Sequence, residues 1–88
     1  MIKEEDKKII SELAKKYDIT KILLFGSAVY KDEFNDIDLA VEGLKPELFF
    51  KFFGELIFKI SKRVDIVSLN KKNSFIDLVR KEGIEIYG

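Results

Sequence analysis

The sequence predicts a small α+β sandwich, with helices packed against a small mixed sheet. Two observations carry that expectation. Short apolar runs bounded by Gly or charged residues lie at 21–25, 37–42 and 64–69, and longer stretches with apolar residues at helical spacing lie at 3–17 and 46–61. Strands alternating with helices bury their apolar faces by layering around one core. A length of 88 residues fits one domain over 1–88.

Each element has a local reason. In residues 3–17, Ile10, Leu13, Ala14 and Tyr17 recur at helical spacing with Lys and Glu between them, and Asp18 ends the run. KILLF at 21–25 is a buried strand closed by Gly26, and residues 26–35 form a turn with one helical turn. IDLAVE at 37–42 alternates as a second strand, broken by Gly43. Pro46 suits a first helical position, opening PELFFKFFGELIFKIS. VDIVSL at 64–69 is a third strand. Asn73 or Ser74 caps a short helix through Lys81, Gly83 ends it, and Ile84 to Tyr87 add an edge strand.

Composition excludes much chemistry. There is no Cys and no His, which removes disulfides, thiolate nucleophiles, Ser-His-Asp triads and Cys- or His-ligated metals. Any catalysis must rest on carboxylates, Lys, Tyr, hydroxyls or a hard metal held by oxygen. Sixteen Lys+Arg balance sixteen Asp+Glu, so the basic excess of a general nucleic-acid binder is missing and direct nucleic-acid binding is not expected. No apolar run is long enough to span a bilayer, and residues 1–16 lack the pattern of a signal peptide, so the expected location is cytoplasmic.

The chemistry concentrates in LLFGSAVYKDEFNDIDLAV. A strand ending in Gly26-Ser27 and opening a helix aims backbone N–H groups at one point, a suitable seat for phosphate. Gly26 permits close approach, and the Ser27 hydroxyl can donate to a phosphate oxygen. Taken alone, a Gly-Ser pair is more often an ordinary turn. Asp36 and Asp38 are two apart on a strand and share a face, while Ile37 and Leu39 point to the core. Adjacent carboxylates repel unless a cation lies between them, and Mg²⁺ bound through carboxylates and substrate phosphates supplies one. A solvent-facing strand that happens to carry two aspartates is the plainer alternative, set against the depletion of Asp in strands. Asp65 lies in a third strand of similar apolar context, and joins the cluster if that strand lies beside the second. Otherwise it pairs with Lys62 or Arg63. Residues 31–42 carry five acids against one Lys, a local acidic patch in a neutral chain.

Gly26-Ser27, Asp36-x-Asp38 on a strand and Asp65 on a later strand together resemble the nucleotidyltransferases of the DNA polymerase β superfamily. The short length is similar to its minimal nucleotidyltransferase (MNT) branch, and the closing KEGIEIYG is similar to that family's usual ending. The resemblance implies a polymerase-β-like fold. It also implies transfer of a nucleoside monophosphate, AMP from ATP, to an acceptor hydroxyl, with two Mg²⁺ ions held by Asp36, Asp38 and Asp65. Gly26, Ser27 and Lys31 would bind the nucleotide, and Asp65 would also polarise the acceptor. Family members often carry arginines after Gly-Ser; here the run is Ala28-Val29-Tyr30-Lys31.

The helix over 46–61 is apolar over a wide arc, with Phe58 among Lys51, Lys59 and Lys62. A thin sandwich with a broad core helix explains part of this. An interface around Phe50, Ile57 and Phe58 is the functional alternative. The resemblance implies a partner: MNT proteins commonly neutralise a small helical HEPN-domain toxin, by binding or by adenylylating it. Three functions follow: an adenylylating antitoxin, a binding-only antitoxin, and a small-molecule modifier of the aminoglycoside type. Self-association is left open.

Overall fold

The computed structural model describes residues 2–31 and 35–88. Helix α1 spans Glu4–Lys16, with Glu4, Glu5 and Asp6 in its first turn and Lys15 and Lys16 in its last, the charge order that suits the helix dipole. It closes in a Schellman turn. Ile19 N–H donates to the Ala14 carbonyl at 2.9 Å, Asp18 N–H to that of Lys15 at 3.3 Å, and Asp18 takes a left-handed φ of 56°.

Strand β1 covers Lys21–Phe25, the one-turn helix α2 covers Ser27–Tyr30, and strand β2 covers Asp36–Glu42. The helix expected over 46–61 is two pieces, a 3₁₀ turn at Pro46–Leu48 and α3 at Phe49–Lys59. Pro46 starts the turn as expected, and Phe49, the first residue of α3, is half-buried against the core. Strand β3 is Arg63–Ser68, α4 is Ser74–Glu82, and β4 is Ile84–Tyr87. The Asn73 side chain accepts from the Ile76 N–H at 2.8 Å, so Asn73 is the cap and Ser74 opens the helix.

The four strands order as β3-β2-β1-β4. β1 pairs antiparallel with both β2 and β4, whereas β2 and β3 run parallel. Parallel neighbours need a crossover, and the 3₁₀ turn with α3 provides it. The sheet is mixed, as expected, and β4 forms one edge.

Strand alternation sorts the side chains onto two faces. On the first, Ile22, Leu24, Ile37, Leu39, Val41 and Val64 pack with Ile10, Leu13 and Ala14 of α1 and Phe52 and Leu56 of α3. Tyr17 and Phe52 meet edge to face at 5.6 Å. On the second, Leu23, Ala40 and Leu69 pack under Ile76 and Val79 of α4, with Phe25 and Val67 at the margin. Arg80 secures the far end of α4, donating to the Leu69 carbonyl at 2.9 Å and to Glu42 at 3.3 Å.

Candidate active site

The second face carries the carboxylates. Asp36 and Asp38 are in phase with Ala40 on β2, and Asp65 is in phase with Val67 on β3. Register brings them into neighbouring rows. Phe25, Asp38 and Asp65 stand abreast across β1, β2 and β3, and Asp36 stands opposite Arg63. The next row inward is Leu23, Ala40 and Val67, beneath α4. The acidic row therefore begins where the cover of α4 ends. Phe75 of α4 packs edge to face on Phe25 at 5.9 Å and closes the apolar side of this boundary.

Gly26 is the second component. Its φ of 76° with ψ of −154° is a conformation open almost only to glycine. A Cβ there would collide with a carboxylate oxygen of Asp38 and lie 3.3 Å from its Cγ. The turn after β1 thus presses directly against Asp38. Ser27 follows, half-buried, as the first residue of α2, with Ala28 fully buried beneath it. Val29 N–H donates to the Gly26 carbonyl at 3.2 Å and Lys31 N–H to that of Ser27 at 3.0 Å, which fixes the single turn. Lys31 is exposed at its end. Asp32 and Glu33, part of the acidic run, lie outside the described residues.

Electrostatics single out Asp38. Its carboxyl titrates above the ordinary aspartate range, because of burial first, then the Asp65 charge, then that of Asp36. All three influences act in one direction, so the site is short of positive charge. The donors are all carboxylate oxygens, the chemistry of a hard cation. Among the described residues, however, no three acidic side chains form a group able to hold an ion by themselves. The residues fit a cation such as Mg²⁺ that completes its shell with substrate oxygens, as this ion does in phosphate-transfer sites.

Comparison with known proteins agrees with this geometry. The family model for "Polymerase beta, Nucleotidyltransferase" matches residues 7–88. The chain belongs to that family. Among solved structures, a chain of the toxin-antitoxin MntA-HepT matches with a TM-score of 0.75 at 22% identity, covering 98% of this chain and 73% of that one. A toxin-antitoxin structure with AMP-PNP matches at 0.75 and 23% identity, over 93% of this chain and 73% of that one. A mutant toxin-antitoxin complex with two Asp-to-Glu changes matches at 0.74 and 24%, over 94% and 72%. These likenesses carry the fold. Comparison with curated proteins gives no match. Among the described residues, no helix is long and apolar enough to cross a membrane.

The sequence-predicted groups fall in two places on this polymerase-β-type frame. Gly26, Asp36, Asp38 and Asp65 gather at one end of the second face, with Ser27 beside them. Phe50, Ile57 and Phe58 are exposed on α3, at 81%, 54% and 90%. Sequence reasoning missed Phe25 and Phe75 as the wall beside Asp38. Alternation within KILLF places Phe25 on the face of Leu23, and that signal was available. The long-range pairing with Phe75 leaves no local signal.

Proposed function

We propose that this protein is a Mg²⁺-dependent nucleotidyltransferase of the minimal, MNT type, moving AMP from ATP to an acceptor hydroxyl. The observation that carries the reading is the row Phe25–Asp38–Asp65 with Gly26 against the Asp38 carboxylate. In this reading Asp36, Asp38 and Asp65 hold the metal. Bound Mg²⁺ supplies positive charge against both the carboxylates and the phosphates. Ser27 donates its hydroxyl to a phosphate oxygen, backbone N–H groups of the Gly26 turn assist, and Lys31 supplies further charge at the rim. Asp65, the exposed member of the row, faces the acceptor and draws on its proton. The acceptor oxygen bonds to the α-phosphorus, and the bond to pyrophosphate breaks.

The acceptor in this reading lies on a small helical toxin of HEPN type, which the protein neutralises in the cytoplasm. The matching MntA-HepT structures are toxin–antitoxin complexes, which supports a protein partner. A binding-only antitoxin is the second reading. It is favoured by Ala28 and Tyr30 standing where family members often carry arginines, since Lys31 offers one point charge and no bidentate fork.

Co-expression with a helical partner protein, followed by intact-mass measurement after incubation with Mg²⁺ and ATP, separates the two. A gain of one AMP on the partner, lost in Asp38→Asn, is the expected result. A stable complex with unmodified partner supports binding alone.

A further inference from the structure

The exposed face of α3 carries a glycine that the fold itself does not explain. Gly54 lies in the middle of the helix, and a Cβ placed on it would meet nothing within 4 Å. A mid-helix glycine is less stable than alanine, and here alanine would fit freely. Gly54 is flanked on the same face by Phe50 one turn before and by Ile57 and Phe58 one turn after. Phe50 and Phe58 are among the most exposed large apolar side chains described, at 81% and 90%. The stripe is therefore one row of the helix surface with an aromatic side chain at each end and bare backbone between them.

One flank is positively charged. Lys16, Lys51 and Lys59 surround the single carboxylate of Glu55, which already binds Lys16 at 2.8 Å. Glu47, in the preceding 3₁₀ turn, is the acid at the other end of the stripe. We infer that this face receives an amphipathic helix of a partner protein, which crosses α3 at Gly54 and carries acidic residues along the flank facing Lys51 and Lys59. Close approach of a second backbone at Gly54 explains the absent side chain, and Phe50 and Phe58 grip the incoming helix on either side. A helix is the occupant because Phe50, Gly54 and Phe58 form one i±4 row two turns long with a notch at its centre, into which a side-chain ridge of a crossing helix can seat. The inference rests on the partner reading above and adds the kind of element that docks and where it docks.

The test uses the full chain and a labelled synthetic helical peptide of about 20 residues, long enough to hold helix, with a Leu/Ala face and a row of Glu on one flank. Saturable binding by fluorescence anisotropy is expected. Gly54→Leu should weaken it by about tenfold or more, as should Phe58→Ala, in line with aromatic interface anchors. Replacing the peptide's Glu row by Lys should also weaken it. Gly54→Ala should raise the melting temperature by roughly 4–8 °C while weakening binding, a pairing of signs that a purely structural glycine would not give. Asp38→Asn should bind the peptide like the parent, and Gly54→Leu should bind Mg²⁺–ATP like the parent, so failure at one site is distinct from failure at the other. Equal binding by the parent and Gly54→Leu, no binding of the Glu-flanked peptide, or a parent dimer in sedimentation that Gly54→Leu converts to monomer would each overturn the proposal, the last by making this a face for a second copy.

Discussion

On one face of the sheet two helices bury Phe52, Leu56, Ile10 and Leu13 against five or more strand residues; on the other, α4 alone covers Leu23, Ala40 and Leu69. The first face is covered by two helices. The second is covered only in its middle rows, and the next row outward is acidic. A small domain gains most of its stability from apolar burial, so the crowded face is the one that sets it. The thin face can then leave a row of charged groups at its margin, where the proposed function seats its substrate. Division of labour between the faces is the lesson, and it can be broken by measurement.

The largest effect is expected in the crowded core. Phe52 is fully buried and touches Tyr17 edge to face. Phe52→Ala should cost about 3–5 kcal/mol in denaturant unfolding. Ile76→Ala, under α4, should fall near the low end of the range for such truncations, about 2–3 kcal/mol. Phe75 and Leu78 beside it are half exposed, so α4 can settle into the space. If Ile76→Ala costs more than Phe52→Ala, the contrast between the faces fails.

Asp38→Asn tests the acidic row in two ways. Binding of Mg²⁺–ATP should weaken by roughly a hundredfold or more, beyond the range for losing an outer-shell partner. Stability should move the other way. Because the folded state raises the Asp38 pKa, it binds more protons than the unfolded state in the window just above the ordinary aspartate value. Stability therefore falls as pH rises through that window, and the cost is complete above it. Without metal, the Asn variant should melt higher than the parent at neutral pH, with the gap closing as pH falls below the ordinary aspartate range. A variant that melts lower than the parent at neutral pH would show that Asp38 is held by an interaction and not opposed by its neighbours.

Asn73→Ala comes next, at about 1 kcal/mol, the usual value of a lost N-cap. Its effect should appear in melting temperature, because α4 packs through Ile76 and Val79 and frays from its first turn when the Ile76 N–H loses its acceptor.

The fold was legible because both of its periods are clean. KILLF became β1 and Ile84 to Tyr87 became β4 without a residue of change, and β2 and β3 differ by one residue at their ends. Asp36 and Asp38 were legible as a pair because a strand's period of two fixes which side chains share a face. That Asp65 stands directly opposite Asp38 was not, since alternation says nothing about which strand is the neighbour or in what register. The bridge from Tyr17 and Lys16 to Glu55 was invisible for the same reason: its partners are 38 and 39 residues apart. Gly54 was read as one more helix residue, and only its empty surroundings set it apart.

The smallest effect lies on that bridge. Glu55 on α3 accepts from the Tyr17 hydroxyl and from Lys16 Nζ at 2.8 and 3.1 Å, tying α1 to α3 at the edge of the crowded face. The hydrogen bond from Lys16, followed by that from Tyr17, holds the Glu55 carboxyl below its ordinary range, and the bond to Glu55 raises the Tyr17 phenol. A depressed carboxylate stabilises the fold above its unfolded pKa, and that contribution is lost as pH falls through its folded value. Lys16 is exposed and Glu55 only half-buried at this edge, so water and salt screen the gain. Glu55→Gln keeps the shape and removes the charge. It should change the melting temperature by no more than a few degrees, and less at high salt. The sharper readout is the phenol: near-ultraviolet titration should find Tyr17 ionising at lower pH in Glu55→Gln than in the parent. If Tyr17 titrates identically in both, the bridge does not persist in solution, and the contact between α1 and α3 is apolar alone.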